Sequence, residues 1–230
     1  MTKIDVIVPT KNEVDSIGLV VKGIRDVLNH KAEIFIVDEN SNDGTIEKAL
    51  EIDKEIKIIQ RIGTGKGNAF KTIQPIVNGD IIVLIDSDGQ FDPYDIPTLL
   101  KPILLNKANH VLGSRFMGEM EKGAMNWIHN LGNRLFNILI SLKYGVTVTD
   151  SQTGIRAMLN NVFKSINISS NGFDIETEIT IKSIKNNDKI IEVPIKYYNR
   201  KIGSKSKLNT IEDGLQILKR ILFPNNKFYI

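Results

Sequence analysis

Residues 81–90 read Ile-Ile-Val-Leu-Ile-Asp-Ser-Asp-Gly-Gln, an apolar run that is followed at once by two carboxylates. Five apolar residues, most of them β-branched, in front of a glycine-containing turn predict a buried strand. Similar strand-like runs lie at 4–8, 34–37 and 57–60, and helix-like stretches lie at 16–29, 45–51, 68–77 and 93–106. This alternation predicts βαβ units, and therefore an α/β fold with a mostly parallel, Rossmann-like sheet flanked by helices.

The composition limits the class of protein. The 230 residues are 41% hydrophobic and include no cysteine, so disulfides and thiolate metal sites are excluded and a reducing compartment is expected. We expect no secretory leader, because the first strand-like run begins at residue 4, and no membrane-spanning helix, because no apolar run approaches the roughly 18 residues that one needs. We expect a single domain, 1–230, in the cytoplasm.

The charge is unevenly distributed along the chain. The net charge is +3, but residues 182–230 carry eleven lysines and arginines against four acidic residues. A basic block of this kind is either a solvated face or a surface that attracts phosphates or anionic lipid. We expect phosphate or membrane partners and no nucleic acid.

Polar residues that follow the predicted strands form the candidate site, because ligands of such sheets bind at the carboxyl ends of the strands. Asp86 and Asp88 offer hard oxygen ligands that suit Mg²⁺ or Mn²⁺, and such an ion would bridge a diphosphate. The alternative is a turn with solvated acids. Asp38 can accept hydrogen bonds from a nucleobase or ribose, or it can cap the next helix, and Pro9 fixes the backbone beside it.

A glycine-rich segment, 63–69, precedes a helix and suggests a phosphate cradle. It is not a Walker loop, because Gln60 and Gly67 stand where that motif needs Gly and Ser or Thr. No G-x-G-x-x-G follows the first strand, which disfavours a dinucleotide-dependent dehydrogenase.

Two amphipathic helices are predicted in the second half of the chain. Their apolar residues recur at helical spacing at Trp127, Ile128, Leu131, Leu135, Ile138, Leu139 and Leu142, and then at Ile211, Leu215, Leu218 and Leu222. Each helix can pack on the core or lie in a membrane interface.

Taken in order, the motifs resemble family 2 glycosyltransferases of the GT-A fold. The matching residues are Pro9-Thr10-x-Asn12-Glu13, Asp38-Glu39-x-Ser41-x-Asp43-Gly44-Thr45, Gly65-Lys66-Gly67-x-Ala69, Asp86-x-Asp88-x-Gln90 and Gly113-Ser114-Arg115. The later segments 150–156, Gly172-Phe173-x-x-Glu176-x-Glu178 and 192–207 are similar to the dolichyl- and polyprenyl-phosphate sugar synthase branch, and especially to archaeal enzymes of N-glycosylation.

The resemblance implies a nucleotide-sugar-binding half, 1–115, and an acceptor- and membrane-facing half, 116–230. It assigns the nucleotide-sugar to Pro9, Thr10, Asn12, Glu13, Asp38, Lys66, Ser87, Arg200 and Lys207. It assigns the metal to Asp86, Asp88 and Gln90, and catalysis to Asp86, Asp88, Arg115 and Asp150. The acceptor phosphate is expected at His129, Asn133 and Arg134, while His30 and His110 are expected to be ordinary surface or core histidines.

The acceptor class decides which residues catalysis needs. A hydroxyl acceptor needs a general base, whereas a phosphate monoester, with its second pKa at about 6, already carries an anionic oxygen. Asp150 falls where relatives place a base, and it could equally hold the 152–156 turn. We expect inverting transfer to a polyprenyl phosphate by a protein bound peripherally to the cytoplasmic face of the membrane.

Two departures from the family concern the donor. Glu39 stands where many relatives have Asp, and Ser151 stands where some mannose synthases have Pro. These differences favour a UDP-hexose or UDP-N-acetylhexosamine, with GDP-mannose as the other possibility. The competing functions are a family 2 transferase acting on a sugar hydroxyl of a surface polysaccharide, a nucleotidyltransferase and a lipid-binding scaffold without catalysis.

Overall fold

The computed structural model describes residues 2–201 and 209–224. Its strands and helices alternate along most of the chain. In order they are β1 (Ile4–Thr10), α1 (Val14–Leu28), β2 (Ala32–Asp38), α2 (Thr45–Ile52), β3 (Lys57–Gln60), α3 (Lys66–Ile73), β4 (Ile81–Leu84), α4 (Ile96–Leu104), β5 (His110–Met120), α5 (Trp127–Tyr144), β6 (Arg156–Leu159), α6 (Asn160–Ser165), α7 (Ile175–Lys185), β7 (Ile190–Tyr197) and α8 (Thr210–Leu222).

The strands form one mixed sheet in the order β3-β2-β1-β4-β6-β5-β7. All neighbouring pairs are parallel except those of β6, which runs antiparallel to β4 and β5. The predicted α/β fold with a mostly parallel sheet flanked by helices is therefore confirmed. Because β6 runs antiparallel to β4, β6 begins at the edge of the sheet where β4 ends. This brings Gly154, just before β6, beside Asp86.

Strands β1, β2 and β4 are apolar along nearly their whole length because helices cover both faces of the sheet. One hydrophobic cluster packs α1 and α4 on one face, and a second packs α3, α6 and α7 on the other. A third, smaller cluster joins α5, α7 and α8. Strand β5 crosses position 115, so both predicted halves contribute to the same sheet, and their division by function stays a prediction.

Some element bounds differ from those expected from the sequence. Strand β1 continues to Thr10 through Pro9, which is tolerated because β1 pairs with β4 only from Ile4 to Ile7 and the absent N–H of Pro9 lies beyond that ladder. The predicted 93–106 helix begins as a 3-10 turn and becomes α4 at Ile96. The predicted 68–77 helix begins earlier, at Lys66, because Gly65 supplies the left-handed backbone (φ 89°) in front of it.

Helices α5 and α8 form at the two predicted amphipathic stretches. Asn126 caps α5 by accepting a 2.7 Å hydrogen bond from the N–H of His129, and α5 ends at Gly145 with φ 66°. Asn209 caps α8 in the same way, and the two helices pack against each other. No helix in the described ranges, 2–201 and 209–224, is long and apolar enough to cross a membrane.

Candidate active site

A cavity of about 830 Å³ opens at the carboxyl edge of the sheet. It extends from the loops after β1 and β2 to helices α5 and α8. Twelve of the predicted site residues line it, namely Pro9, Thr10, Glu13, Lys66, Asp86, Ser87, Asp88, Gln90, Arg115, His129, Asn133 and Arg200. Residues that the sequence placed in separate motifs therefore face one space.

Asp86 and Asp88 follow β4 and sit side by side in the cavity wall. Gly89, with φ 72°, turns the chain after them, and the N–H of Gln90 donates to Asp88 at 3.0 Å. Burial, together with the nearby charge of Asp86, raises the pKa of Asp88 to about 6 although Arg200 opposes the shift. Such crowding of negative charge is relieved by a bound cation.

The side chains at this point fit a divalent cation of the Mg²⁺ or Mn²⁺ type. Asp86, Asp88 and Gln90 supply carboxylate and amide oxygens, and two backbone carbonyls, those of Ala124 and Tyr198, hold Gln90 by its amide nitrogen. Within the described residues no group of three or more His, Cys, Asp or Glu side chains could bind a metal. An ion here would therefore need further oxygen ligands, such as water or a bound phosphate.

Each of these carboxylates already contacts a basic side chain. Lys66 forms an ion pair with Asp86, and Arg200 lies 2.6 Å from Asp88 and 3.5 Å from Glu13. Both basic residues were predicted to bind the nucleotide-sugar, Arg200 at its phosphates. Ammonium and guanidinium groups beside the predicted metal ligands, Asp86 and Asp88, have the charge that such a task needs.

The glycine-rich segment positions Lys66 at the start of α3. A Cβ at Gly65 would lie 2.3 Å from the carbonyl oxygen of Asn171, and one at Gly67 would lie 2.3 Å from that of Ser170. Gly67 also donates its N–H to Asn171 at 2.9 Å. The glycines are therefore required because this segment packs directly on the 170–171 backbone.

Arg115 is buried in the cavity wall with Asp150 behind it. Asp150 accepts hydrogen bonds from Nε and Nη2 of Arg115 at 2.7 and 2.8 Å and from its backbone N–H at 2.9 Å. Burial acts to lower the pKa of Arg115, but the charge of Asp150 outweighs it and the pKa is raised. Asp150 is fully buried and is absent from the cavity lining.

At the end of the cavity formed by β1 and β2, Asn12 and Asp38 support the loops rather than line the space. Asp38 accepts hydrogen bonds from the N–H and Oγ of Ser41 at 2.9 and 2.5 Å, and Asn12 donates its N–H to the same Oγ at 2.9 Å. Glu39 and Arg61 line the cavity here and form an ion pair. Burial lowers the pKa of Arg61 to about 10.

Helices α5 and α8 form the opposite wall. His129 and Asn133 line the cavity, and His129 is joined to Thr210 of α8 by a 2.9 Å hydrogen bond. Burial, and then the charge of Arg115, lowers the pKa of His129. Arg134 lies outside the lining, donates to Asn130 at 2.9 Å and stacks on Phe116.

Several lining residues received no role from the sequence. They are Glu39, Arg61, Phe91, Gln152, Phe173, Glu176 and Tyr197. Five of these residues stood in quoted motifs or segments and could have been suspected, whereas Arg61 and Phe91 offered no signal. Lys207 lies outside the described residues, as does the whole 202–208 segment. The binding and catalytic roles of the predicted residues stay predictions.

The chain belongs to the family described as glycosyl transferase family 2, whose model matches residues 5–166. It is 32% identical to glycosyltransferase AglJ of Haloferax volcanii, over 97% of this chain and 74% of that protein. It is 31% identical to the UDP-N-acetylglucosamine–dolichyl-phosphate N-acetylglucosaminyltransferase of Methanococcus voltae, over 83% of each chain. These relatives confirm the predicted family and its dolichyl- and polyprenyl-phosphate branch.

The fold also matches solved structures. Glucosyl-3-phosphoglycerate synthase of Mycobacterium tuberculosis, in complex with Mn²⁺, UDP and glucosyl-3-phosphoglycerate, superposes with a TM-score of 0.75 at 21% identity. The match covers 96% of this chain and 79% of that one. At this identity the likeness shows the GT-A fold alone.

Proposed function

We propose that the protein transfers a sugar from a nucleotide-sugar to the phosphate of a dolichyl or polyprenyl phosphate, with inversion and with Mg²⁺ or Mn²⁺ as cofactor. The observation that carries the acceptor assignment is the position of Asp150. It is fully buried behind Arg115, and both of its carboxylate oxygens bind that residue. A carboxylate so placed supports the guanidinium and is poorly placed to take a proton from an acceptor hydroxyl.

At the donor side, Asp86, Asp88 and Gln90 would hold the metal ion. The ion would neutralise the charge that develops on the leaving diphosphate. Lys66, Arg115 and Arg200 add positive charge on the same cavity wall. These preorganised cations would stabilise the negative charge that forms on the leaving diphosphate, which is the main requirement of glycosyl transfer at the leaving group.

At the acceptor side, His129 and Asn133 of α5 line the cavity, where Nε2 of His129 is joined to Thr210 and Nδ2 of Asn133 contacts Met125. A phosphate monoester brings its own nucleophilic oxygen, so these residues need only orient it and balance its charge. A single in-line displacement at the anomeric carbon then gives inversion. Arg134, outside the cavity lining, could contact a phosphate only after its side chain moved away from Asn130.

The lipid would reach this wall from a membrane surface. The outer faces of α5 and α8 expose large apolar side chains, namely Trp127, Leu131, Leu135, Ile138 and Leu142 on α5 and Ile211, Leu215 and Leu222 on α8. An exposed apolar surface of this size, beside the cavity that would hold the lipid's phosphate, favours docking at a bilayer interface. The proposal therefore includes peripheral binding to the cytoplasmic face of the membrane.

For the donor we propose a UDP-hexose or UDP-N-acetylhexosamine, with GDP-mannose as the other candidate. The name of the Methanococcus voltae relative, which includes UDP-N-acetylglucosamine and dolichyl phosphate, supports the uridine donor. Protein N-glycosylation is the proposed process, by resemblance to archaeal enzymes of that route.

The test is incubation with a panel of UDP- and GDP-sugars, Mn²⁺ or Mg²⁺ and a short polyprenyl phosphate, followed by mass analysis of the lipid. A lipid-phosphate hexose or N-acetylhexosamine is expected with at least one donor. Turnover of a nucleotide-sugar only with a polysaccharide acceptor would contradict the proposal.

A further inference from the structure

Lys66 lies between two carboxylates in the cavity wall. Its ammonium contacts Asp86 on one side and lies 2.5 Å from Oε1 of Glu176 on the other. The side chains of Lys66 and Glu176 are 11% and 8% exposed. Asp86 belongs to the proposed metal pair, whereas Glu176 lies on the first turn of α7 and has no role in the scheme above.

The charges predict what happens when a divalent cation binds Asp86. The ion and the ammonium of Lys66 would then be like charges at short range, and their repulsion would drive the lysine away. The lysine stem is flexible and its ammonium is strongly hydrated, so solvent is the natural destination. The carboxylate of Glu176, which contacts the Lys66 ammonium as well, would oppose that movement of the lysine into solvent.

Glu176 is held firmly enough to serve as that second carboxylate. Arg156, 1% exposed, donates to the backbone carbonyl of Glu176 at 3.3 Å and to that of Thr153 at 2.7 Å. Burial lowers the pKa of Arg156 to about 10, although the charge of Glu176 opposes the shift. Arg156 therefore holds the first turn of α7 in place. The backbone of Lys66 is held by the close packing of Gly65 and Gly67 on the 170–171 backbone.

We propose that Glu176 is a positioning residue that acts through Lys66. It keeps the ammonium in the cavity when Asp86 takes a divalent cation, so that Lys66 faces the diphosphate of the donor. The inference rests on the proposed function for the identity of that ligand. The charge of this buried carboxylate would therefore serve donor binding, although Glu176 itself would touch neither the metal nor the phosphates.

The test is calorimetric binding of UDP and of GDP, each with Mn²⁺, to the wild type, Glu176→Gln, Lys66→Met and the double variant. Each single change should weaken diphosphate binding about 10-fold, the loss expected for one charge-assisted contact. The double variant should bind no more weakly than Lys66→Met, because Glu176 acts only through the lysine. A merely structural role would not give this dependence on Lys66.

The matched control is Asp53→Asn, which breaks another buried carboxylate–cation pair, that with Arg25, away from the cavity. It should lower the melting temperature and leave diphosphate affinity within about twofold. If Glu176→Gln does not fold, Glu176→Asp keeps the charge, shortens its reach by one methylene and should bind with intermediate affinity.

Two results would overturn the inference: a Glu176→Gln protein with unchanged diphosphate affinity, or a further loss on adding Glu176→Gln to Lys66→Met. Binding in the expected pattern by a protein that glycosylates no lipid phosphate would contradict the proposed acceptor and leave the role of Glu176 supported. A wild-type protein that binds neither nucleotide with Mn²⁺ would contradict both.

Discussion

The carboxylate of Asp150 accepts hydrogen bonds from Nε and Nη2 of Arg115, at 2.7 and 2.8 Å, in the fully buried layer behind the cavity wall. Glu192 extends this arrangement by accepting the backbone N–H groups of Thr149 and Asp150 at 2.7 and 2.8 Å. Burial raises the pKa of Glu192. The bidentate pair fixes the plane of the guanidinium, which a single ion contact would not do.

The first prediction concerns this pair. Arg115→Gln should lower the turnover rate on the order of 100-fold, as loss of one preorganised charged donor does. Asp150→Asn should also lower it, because Arg115 loses its support. Adding Asp150→Asn to Arg115→Gln should cost little more, since one partner acts through the other. The measurement is the initial rate of lipid glycosylation for the three variants.

A general base would behave differently. Its removal would cost as much in the Arg115→Gln background as in the wild type. Full additivity of the two changes would therefore favour a hydroxyl acceptor and Asp150 as its base.

The second prediction concerns Gly154, which packs against Asp86, one of the predicted metal ligands. A Cβ at this position would lie 2.1 Å from Oδ2 of Asp86 and 2.9 Å from the ring of Phe91. Gly154→Ala should therefore displace Asp86, and a shift of about 1 Å in a reacting group can cost about 100-fold in rate. Titration with Mn²⁺ should show a matching rise in the concentration needed for half-maximal activity.

Gly18→Ala is the control for this variant. A Cβ at Gly18, on α1, would meet only Lys48 and Ile52 side chains at 3.7 Å, an ordinary contact. Its activity and Mn²⁺ requirement should match those of the wild type. Equal behaviour of the two alanine variants would show that Asp86 does not need its observed position.

The third prediction concerns the exposed apolar faces of α5 and α8. Leu131 and Leu135 are 62% and 52% exposed, and burial of one leucine in an interface contributes about 2 kcal/mol. Leu131→Glu and Leu135→Glu should each weaken binding to anionic vesicles by at least about 10-fold in a sedimentation assay. Binding of UDP or GDP should stay unchanged.

Leu19→Glu on α1 is the matched control, because Leu19 is equally exposed, at 55%, and lies away from these helices. It should bind vesicles like the wild type. If all three glutamate variants sediment equally, α5 does not contact the bilayer.

The fourth prediction concerns pH and stability. His110 is fully buried, and its Nδ1 lies 3.0 Å from Oγ of Ser183. Burial, and then the charge of Arg156, lowers its pKa well below 6.5. Below pH 6.5 this histidine is protonated in the unfolded chain but stays neutral in the native state. The free energy of unfolding therefore decreases as the pH decreases, by up to about 1.4 kcal/mol per pH unit from this group.

His110→Asn should remove that part of the acid sensitivity. Urea unfolding between pH 7.5 and 5 should therefore give a shallower loss of stability for the variant than for the wild type. Parallel curves would show that His110 does not stay neutral in the native state.

The first half of the fold was predictable because its signals are local. Short strand-like runs rich in β-branched residues, at 4–8, 34–37, 57–60 and 81–85, predicted β1 to β4. The rule that ligands bind at strand ends placed Asp86 and Asp88 at the ligand edge. Strands β5 to β7 were not identified, since β6 buries a charged residue, Arg156, and exists only through its antiparallel pairing. Local periodicity carries no information about such a pairing.

Parts of the site were hidden for the same reason. Lys66 was predicted from its motif, but its ion pair with Glu176 depends on the packing of α3 against α7. The sequence left Asp150 as either a general base or a residue that holds the 152–156 turn, because its contact with Arg115 is a tertiary contact that local sequence does not reveal. Asn12 and Asp38 were assigned to the nucleotide-sugar. Their side chains accept hydrogen bonds from Asn42 and Ser41 in the loop after β2, and these contacts depend on loop conformation.

The central claim is that the acceptor atom is a phosphate oxygen, and the most direct measurement compares two matched acceptors. A short polyprenyl phosphate and the corresponding polyprenol are each incubated with the active nucleotide-sugar and Mn²⁺, and the products are analysed by mass and by phosphorus NMR. We predict a sugar phosphodiester of inverted anomeric configuration from the phosphate and no product from the polyprenol. Glycosylation of the polyprenol, or of a sugar hydroxyl in preference to the lipid phosphate, would contradict the claim.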